Sequence, residues 1–237
     1  MGLFSKRDKA RSAPSQDEAE PVVPAGEPGV DRDWERRLDG PFDSSERPEP
    51  GGLVDFGAVR IPPVSGMTLR MDVEADSHRV VGVTCELGES TVQVQAFAAP
   101  RSQGIWDEIR AELAEGIRKA GGALHEQQGL MGTELLTKLP AQGPDGQVVY
   151  NSARFYGVDG PTWFLRLVIH GPGATQHAAL RRLTAFAREI VVDRGHEPKP
   201  PRELLELTPP PVQPDAAEAE PSARAATDTD TAAGAPS

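Results

Sequence analysis

The chain has 237 residues and a formal net charge of −11, and nearly all its bulky apolar residues lie between about residues 52 and 200. The acidic balance argues against nucleic acid as a partner, because a phosphate backbone is held by clustered Lys and Arg. One cysteine, Cys85, excludes an intrachain disulfide and an all-Cys metal site, and no apolar run approaches the ~18 residues of a membrane-spanning helix.

Three regions follow from composition. Residues 1–51 alternate charges with Pro, Ser and Gly, as in Glu46-Arg47-Pro48-Glu49-Pro50. Such a segment buries too little apolar surface to offset chain entropy and reads as a disordered arm. Within it, Trp34 with Leu38, Pro41 and Phe42 marks a short stretch suited to docking on the domain or on a partner. The first residues, Met1-Gly2-Leu3-Phe4-Ser5-Lys6-Arg7, lack the apolar region of a signal peptide, which predicts a cytoplasmic protein. Residues 1–12 carry Lys6, Arg7, Lys9 and Arg11 beside Leu3 and Phe4. They allow at most a weak peripheral contact with an anionic membrane, and a solvated start is the alternative. Residues 52–200 are the size of one domain with its own core. Residues 201–237 read as an acidic Pro/Ala tail, entered past Leu204, Leu205 and Leu207, which suit one docking turn. In that tail Pro211-Val212-Gln213-Pro214 has the spacing of a polyproline ligand, although a stiff spacer is the commoner meaning.

Along the domain, residues 54–61 read as a strand ended by Pro62-Pro63. Met67, Leu69, Met71 and Val73 alternate with Thr68, Arg70 and Asp72, the period-two pattern of a half-buried strand. Val81, Val83, Cys85 and Leu87 share a face; Gly88-Glu89 turns the chain; Val92, Val94, Ala96 and Ala98 share a face on the return. This is a hairpin. The period then changes to 3.6. Ile105, Ile109, Leu113 and Ile117 form a stripe beside Trp106, with Ser102 as the expected N-cap and Gly121-Gly122 as the stop. Strands resume at 123–127, 133–139, 148–156 and 163–169. A second helix is expected over 175–191, with Leu180, Leu183, Ala187 and Ile190 inward. Short turns between consecutive strands imply antiparallel pairing. The expected architecture is α+β: a mainly antiparallel sheet of about seven or eight strands with two packed helices.

Several strings carry a resemblance. They are Gly40-Pro41-Phe42-Asp43, then Gln95-Ala96-Phe97-Ala98-Ala99-Pro100-Arg101-Ser102 with Trp106, and Arg154-Phe155-Tyr156-Gly157-Val158-Asp159-Gly160-Pro161 with Trp163-Phe164-Leu165-Arg166. Over roughly residues 40–205 the chain resembles an uncharacterised actinobacterial family, a domain of unknown function, which brings no activity with it. The order of strands and helices also resembles the sandwich of the extrinsic photosystem proteins, a likeness of fold alone.

No phosphate loop, dinucleotide fingerprint, nucleophile elbow or paired metal-ligand spacing is present, so no catalytic residue, metal site or cofactor is assigned. Cys85 sits on the apolar face of a hairpin, where a buried structural thiol outweighs a nucleophile or redox sensor. His78, His125, His170, His177 and His196 show no i, i+4 pairing on a helix. The candidate binding residues are Arg101, Trp106, Arg154, Asp159, Trp163 and Arg166. Arg suits bidentate recognition of carboxylate or phosphate. The competing account is an Arg–Asp clamp fixing the turn at Asp159, with the other sheet arginines solvated. The resulting expectation is a non-enzymatic binding or adaptor protein with a protein partner, meeting it through one sheet face or through the loops around Arg101 and Asp159. The alternative is an enzyme or small-ligand binder whose pocket is assembled from dispersed residues.

Overall fold

The computed structural model describes residues 39–49 and 51–210. The expectations for Leu3, Phe4, Trp34, Leu38 and the run from Pro211 to Pro214 lie outside these residues. The elements in chain order are β1 (Phe42–Asp43), β2 (Val54–Asp55), β3 (Val59–Ile61), β4 (Thr68–Val73), β5 (Val80–Leu87), β6 (Ser90–Ala98), α1 (Trp106–Lys119), β7 (Ala123–Gly129), β8 (Gly132–Gln142), β9 (Val148–Asp159), β10 (Trp163–His170), α2 (Pro172–Thr175), α3 (His177–Arg188) and β11 (Val191–Val192). The fold is α+β, as the periodicities predict.

Seven strands form one antiparallel sheet in the order β4-β5-β6-β10-β9-β8-β7. Its centre is β10, whose run Trp163-Phe164-Leu165-Arg166-Leu167-Val168-Ile169 is buried on both faces apart from the half-buried Arg166. Side chains alternate across a strand, so one face of β10 presents Trp163, Leu165, Leu167 and Ile169. These join Val83, Cys85, Val92 and Val94 in the main core. Leu180, Leu183, Phe186 and Ala187 of α3 cover this face together with Val59, Ile61 and Val192 of a second, smaller sheet and Phe56 of its β2–β3 turn. That sheet has the order β1-β11-β3-β2, with β1 parallel to β11. On the other face α1 lies over β7, β8 and β9, and Ile105 and Trp106 pack on Phe164 in a smaller cluster with Phe97 and Phe155.

Three local expectations are corrected. Residues 54–61 form two short antiparallel strands, because Gly57 at φ +79° turns the chain between β2 and β3. The helix expected over 175–191 spans His177–Arg188: Gln176, whose backbone is extended (φ −102°, ψ 121°), separates it from the short α2, and Val191–Val192 join the small sheet as β11. Ser102 does not cap α1. Its N-cap position is Ile105, and the cap comes from elsewhere in the chain. By contrast Gly121, at φ +76°, follows the end of α1 as expected. The three leucines before the tail split in role: Leu205 and Leu207 are buried in the main core, and Leu204 bridges Phe97.

Candidate functional site

The six candidate residues divide by what holds them. Asp159 ends β9 and reaches the start of α1. Its Oδ1 accepts the Ile105 amide at 2.8 Å and its Oδ2 the Trp106 amide at 3.3 Å. The first N–H groups of a helix have no intrahelical acceptor, so this carboxylate supplies the missing cap. A Cβ at Gly104 would overlap it. Trp106 is buried, donates Nε1–H to the Thr133 carbonyl at 2.8 Å and stacks on Phe164 with centroids 5.9 Å apart. Trp163 is buried beneath the small sheet and donates Nε1–H to Asp43 Oδ2 at 2.8 Å.

Arg154 and Arg166 lie on adjacent strands but on opposite faces. Arg154 faces the α2–α3 layer, pairs with the fully buried Glu134 of β8, and donates Nε–H and an Nη–H to the Ala174 carbonyl at 3.2 and 3.0 Å. The same carboxylate accepts from Gln127 Nε2 at 2.6 Å. The Tyr156 hydroxyl lies beside Glu134, both packed over Gly129, where a Cβ would overlap the carboxylate. Burial first, then the neighbouring carboxylate, raises the Tyr156 pKa above that of a free phenol. This group is internal: Glu134 and Tyr156 are inaccessible to solvent and Arg154 nearly so. A clamp between either arginine and Asp159 is not the arrangement found, since Arg154 is engaged by Glu134 and Ala174, and Arg166 by Gln95.

Arg166 faces the α1 side, beyond the strands that α1 covers. Its Nε and one Nη donate to Gln95 Oε1 at 3.1 and 2.5 Å, and its guanidinium lies 5.3 Å from the Phe97 ring centroid. Burial lowers its pKa, although it stays protonated. Around it β4, β5 and β6 present a row of polar side chains. Thr84 donates to Asp72 at 2.8 Å and Gln93 Nε2 donates to it at 2.9 Å, while Gln95 Nε2 is turned to the Val81 carbonyl at 3.1 Å. The Asp72 carboxylate of this row thus takes neutral donors besides an ion pair with Arg70 at 3.9 Å, and Arg166 is met by a neutral acceptor. Arg101, exposed, lines a cleft of about 320 Å³ with Thr162, Arg194, His196 and Glu197; Arg194 is tied there to the Glu197 and Lys199 carbonyls.

Sequence reasoning missed Gln95, Gln93 and Asp72 as Arg166's surroundings. The available signal was register: Gln95 lies opposite Arg166, and Gln93 opposite both Val168 and Thr84. It also missed Glu134, whose place opposite Tyr156 puts it on an inward face. Among the described residues no group of three His, Cys, Asp or Glu is placed to hold a metal ion, and no helix is long and apolar enough to cross a membrane.

Fold and site together define an α+β protein built on a seven-stranded antiparallel sheet, with a polar region on that sheet that no helix covers among the described residues. A family model described as protein of unknown function (DUF3710) matches residues 40–216, and the chain belongs to that family. The matched span contains every string that carried the resemblance. No curated protein and no solved structure matches the chain.

Proposed function

We propose that this is a non-enzymatic binding or adaptor protein of the cytoplasm, whose contact is the sheet face of β4, β5, β6 and β10 around Arg166. One observation carries the reading. Among the described residues a half-buried guanidinium, already partly stripped of water, is met only by the Gln95 amide oxygen and an aromatic ring. Arginine binds carboxylates through two parallel N–H···O bonds, and such charge-assisted bonds are roughly twice as strong as neutral ones. A carboxylate from an acidic segment of a partner protein therefore gains more here than at a solvated surface arginine. The half-buried Gln93, which gives an amide hydrogen to Asp72, has its carbonyl oxygen left to accept from a polar partner, and the Phe97 ring lies 5.3 Å from the guanidinium. Trp106, Arg154, Asp159 and Trp163 serve this reading as scaffold, because their polar atoms are engaged inside the fold.

The test is quantitative affinity purification of the parent chain against Arg166→Ala, with Arg101→Ala as a second arm. The reading expects a partner enriched with the parent and with Arg101→Ala, and lost with Arg166→Ala at an unchanged unfolding midpoint. Loss confined to Arg101→Ala would move the contact to the loop cleft. Equal enrichment by all three chains would refute both contacts.

A further inference from the structure

On the opposite face of the sheet, α3 meets the loop before β4 and the β5–β6 turn along a groove of about 430 Å³. That volume lies in the ~300–1,000 Å³ range of small-molecule sites. Its walls are apolar: Met67 and Leu87 on the sheet side, Ala179, Leu183 and Phe186 on α3, with Val64 on the rim, 41% exposed. One lining residue is charged, Arg182. It stands one helical turn from both Ala179 and Phe186, so its guanidinium and the apolar wall belong to one face of α3. Among the described residues no Asp or Glu lines the groove, although the whole chain carries a charge of −11. Among the described residues none accepts a hydrogen bond from Arg182 or pairs with it.

We infer that this groove binds an unbranched aliphatic carboxylate, the chain lying between α3 and Met67 and the head group meeting Arg182. The apolar walls set the class of the body, since among their side chains only the Ser65 and Ser90 hydroxyls can hydrogen-bond a polar chain. The latter already accepts the Gly173 amide. The sign of the one charge sets the class of the head. The site is independent of the contact around Arg166, which faces away from it across the sheet.

The test is calorimetric titration of the full chain with octanoate, decanoate and dodecanoate below their micelle concentrations, with dodecanol as the uncharged probe. Each added methylene removed from water contributes about fourfold in affinity, so a rising series is expected. Arg182→Ala should weaken dodecanoate by about tenfold and abolish its advantage over dodecanol, while Arg181→Ala, a neighbour outside the groove, leaves both unchanged. Absence of binding, equal losses in the two arginine variants, or an unaltered Arg182→Ala overturns the assignment. A parent that sediments as a dimer and becomes monomeric on Val64→Glu gives the groove to a second copy, and likewise overturns it.

Discussion

Asp159 caps the helix that begins at Trp106: its two carboxylate oxygens accept the Ile105 and Trp106 amides from the end of a strand more than 50 residues further along the chain. The cap fastens α1 to the β9–β10 turn and so fixes how the helix lies over β7, β8 and β9. Loss of a capping side chain costs about 1 kcal/mol, up to ~2. Asp159→Ala is therefore expected to lower the unfolding free energy read from a urea titration by that amount, with Asp159→Asn losing less because one acceptor oxygen remains. A midpoint that does not move would show that the two amides find water as readily as the carboxylate.

The helices differ in what they bury. Leu183 of α3 is 4% exposed and sits in the main core, whereas Leu113 of α1 is only partly buried against the smaller cluster. Leu183→Ala is expected to cost about 2–5 kcal/mol through lost burial and a residual cavity, and Leu113→Ala less than about 2. Parallel denaturant titrations measure both. Equal costs would mean that α1 is packed as tightly as α3.

The legible parts of this fold are those encoded locally. The hairpin of β5 and β6 announces itself by Val83 and Cys85 answered by Val92 and Val94, and α1 by the spacing of Ile105, Ile109, Leu113 and Ile117. The small sheet is invisible to periodicity, since its strands are two or three residues long and β1 and β11 meet across most of the chain. The break between α2 and α3 depends on the backbone of Gln176, a residue with no breaking tendency of its own. For the candidate site, residue types pointed to arginine, but partners did not follow from them. Arg154 and Arg166 look alike in sequence and are separated by the sheet because their register parities differ. Whether each is internal or accessible is decided by Glu134 and Gln95, on neighbouring strands far along the chain.

Cys85 gives a prediction in alkaline solution. Burial first, and Asp72 second, push its thiol from an ordinary 9.0 up to about 12. Between those values the folded chain keeps a proton that the unfolded chain has released, so stability falls as pH rises through this window, by up to about 1.4 kcal/mol per pH unit. Below pH 9 the contribution is fully present. Urea titrations at pH 9 to 11 should show a shallower pH slope for Cys85→Ala than for the parent. Identical slopes would place the thiol in contact with solvent, as would rapid alkylation of the native protein at pH 8.

The buried pair of Glu134 and Arg154 provides the sharpest test of the interior. Both charges are out of water, and the pair is completed by Gln127 on the carboxylate and the Ala174 carbonyl on the guanidinium. Attraction inside such a pair is largely offset by the cost of desolvating both ions, whereas removing one partner leaves the other charged and alone. Glu134→Leu is therefore expected to destabilise the chain by about 3–5 kcal/mol, a large share of the 5–15 kcal/mol typical of a domain. Arg154→Met should do the same from the other side. The double variant, Glu134→Leu with Arg154→Met, replaces the pair by apolar groups and should recover most of that loss, although Gln127 and the Ala174 carbonyl then need water. The four chains form a double-mutant cycle read by denaturant midpoints. Additive losses, with no recovery in the double variant, would mean that the two residues stabilise the fold separately and that the ion pair is not what holds β8, β9 and α2 together.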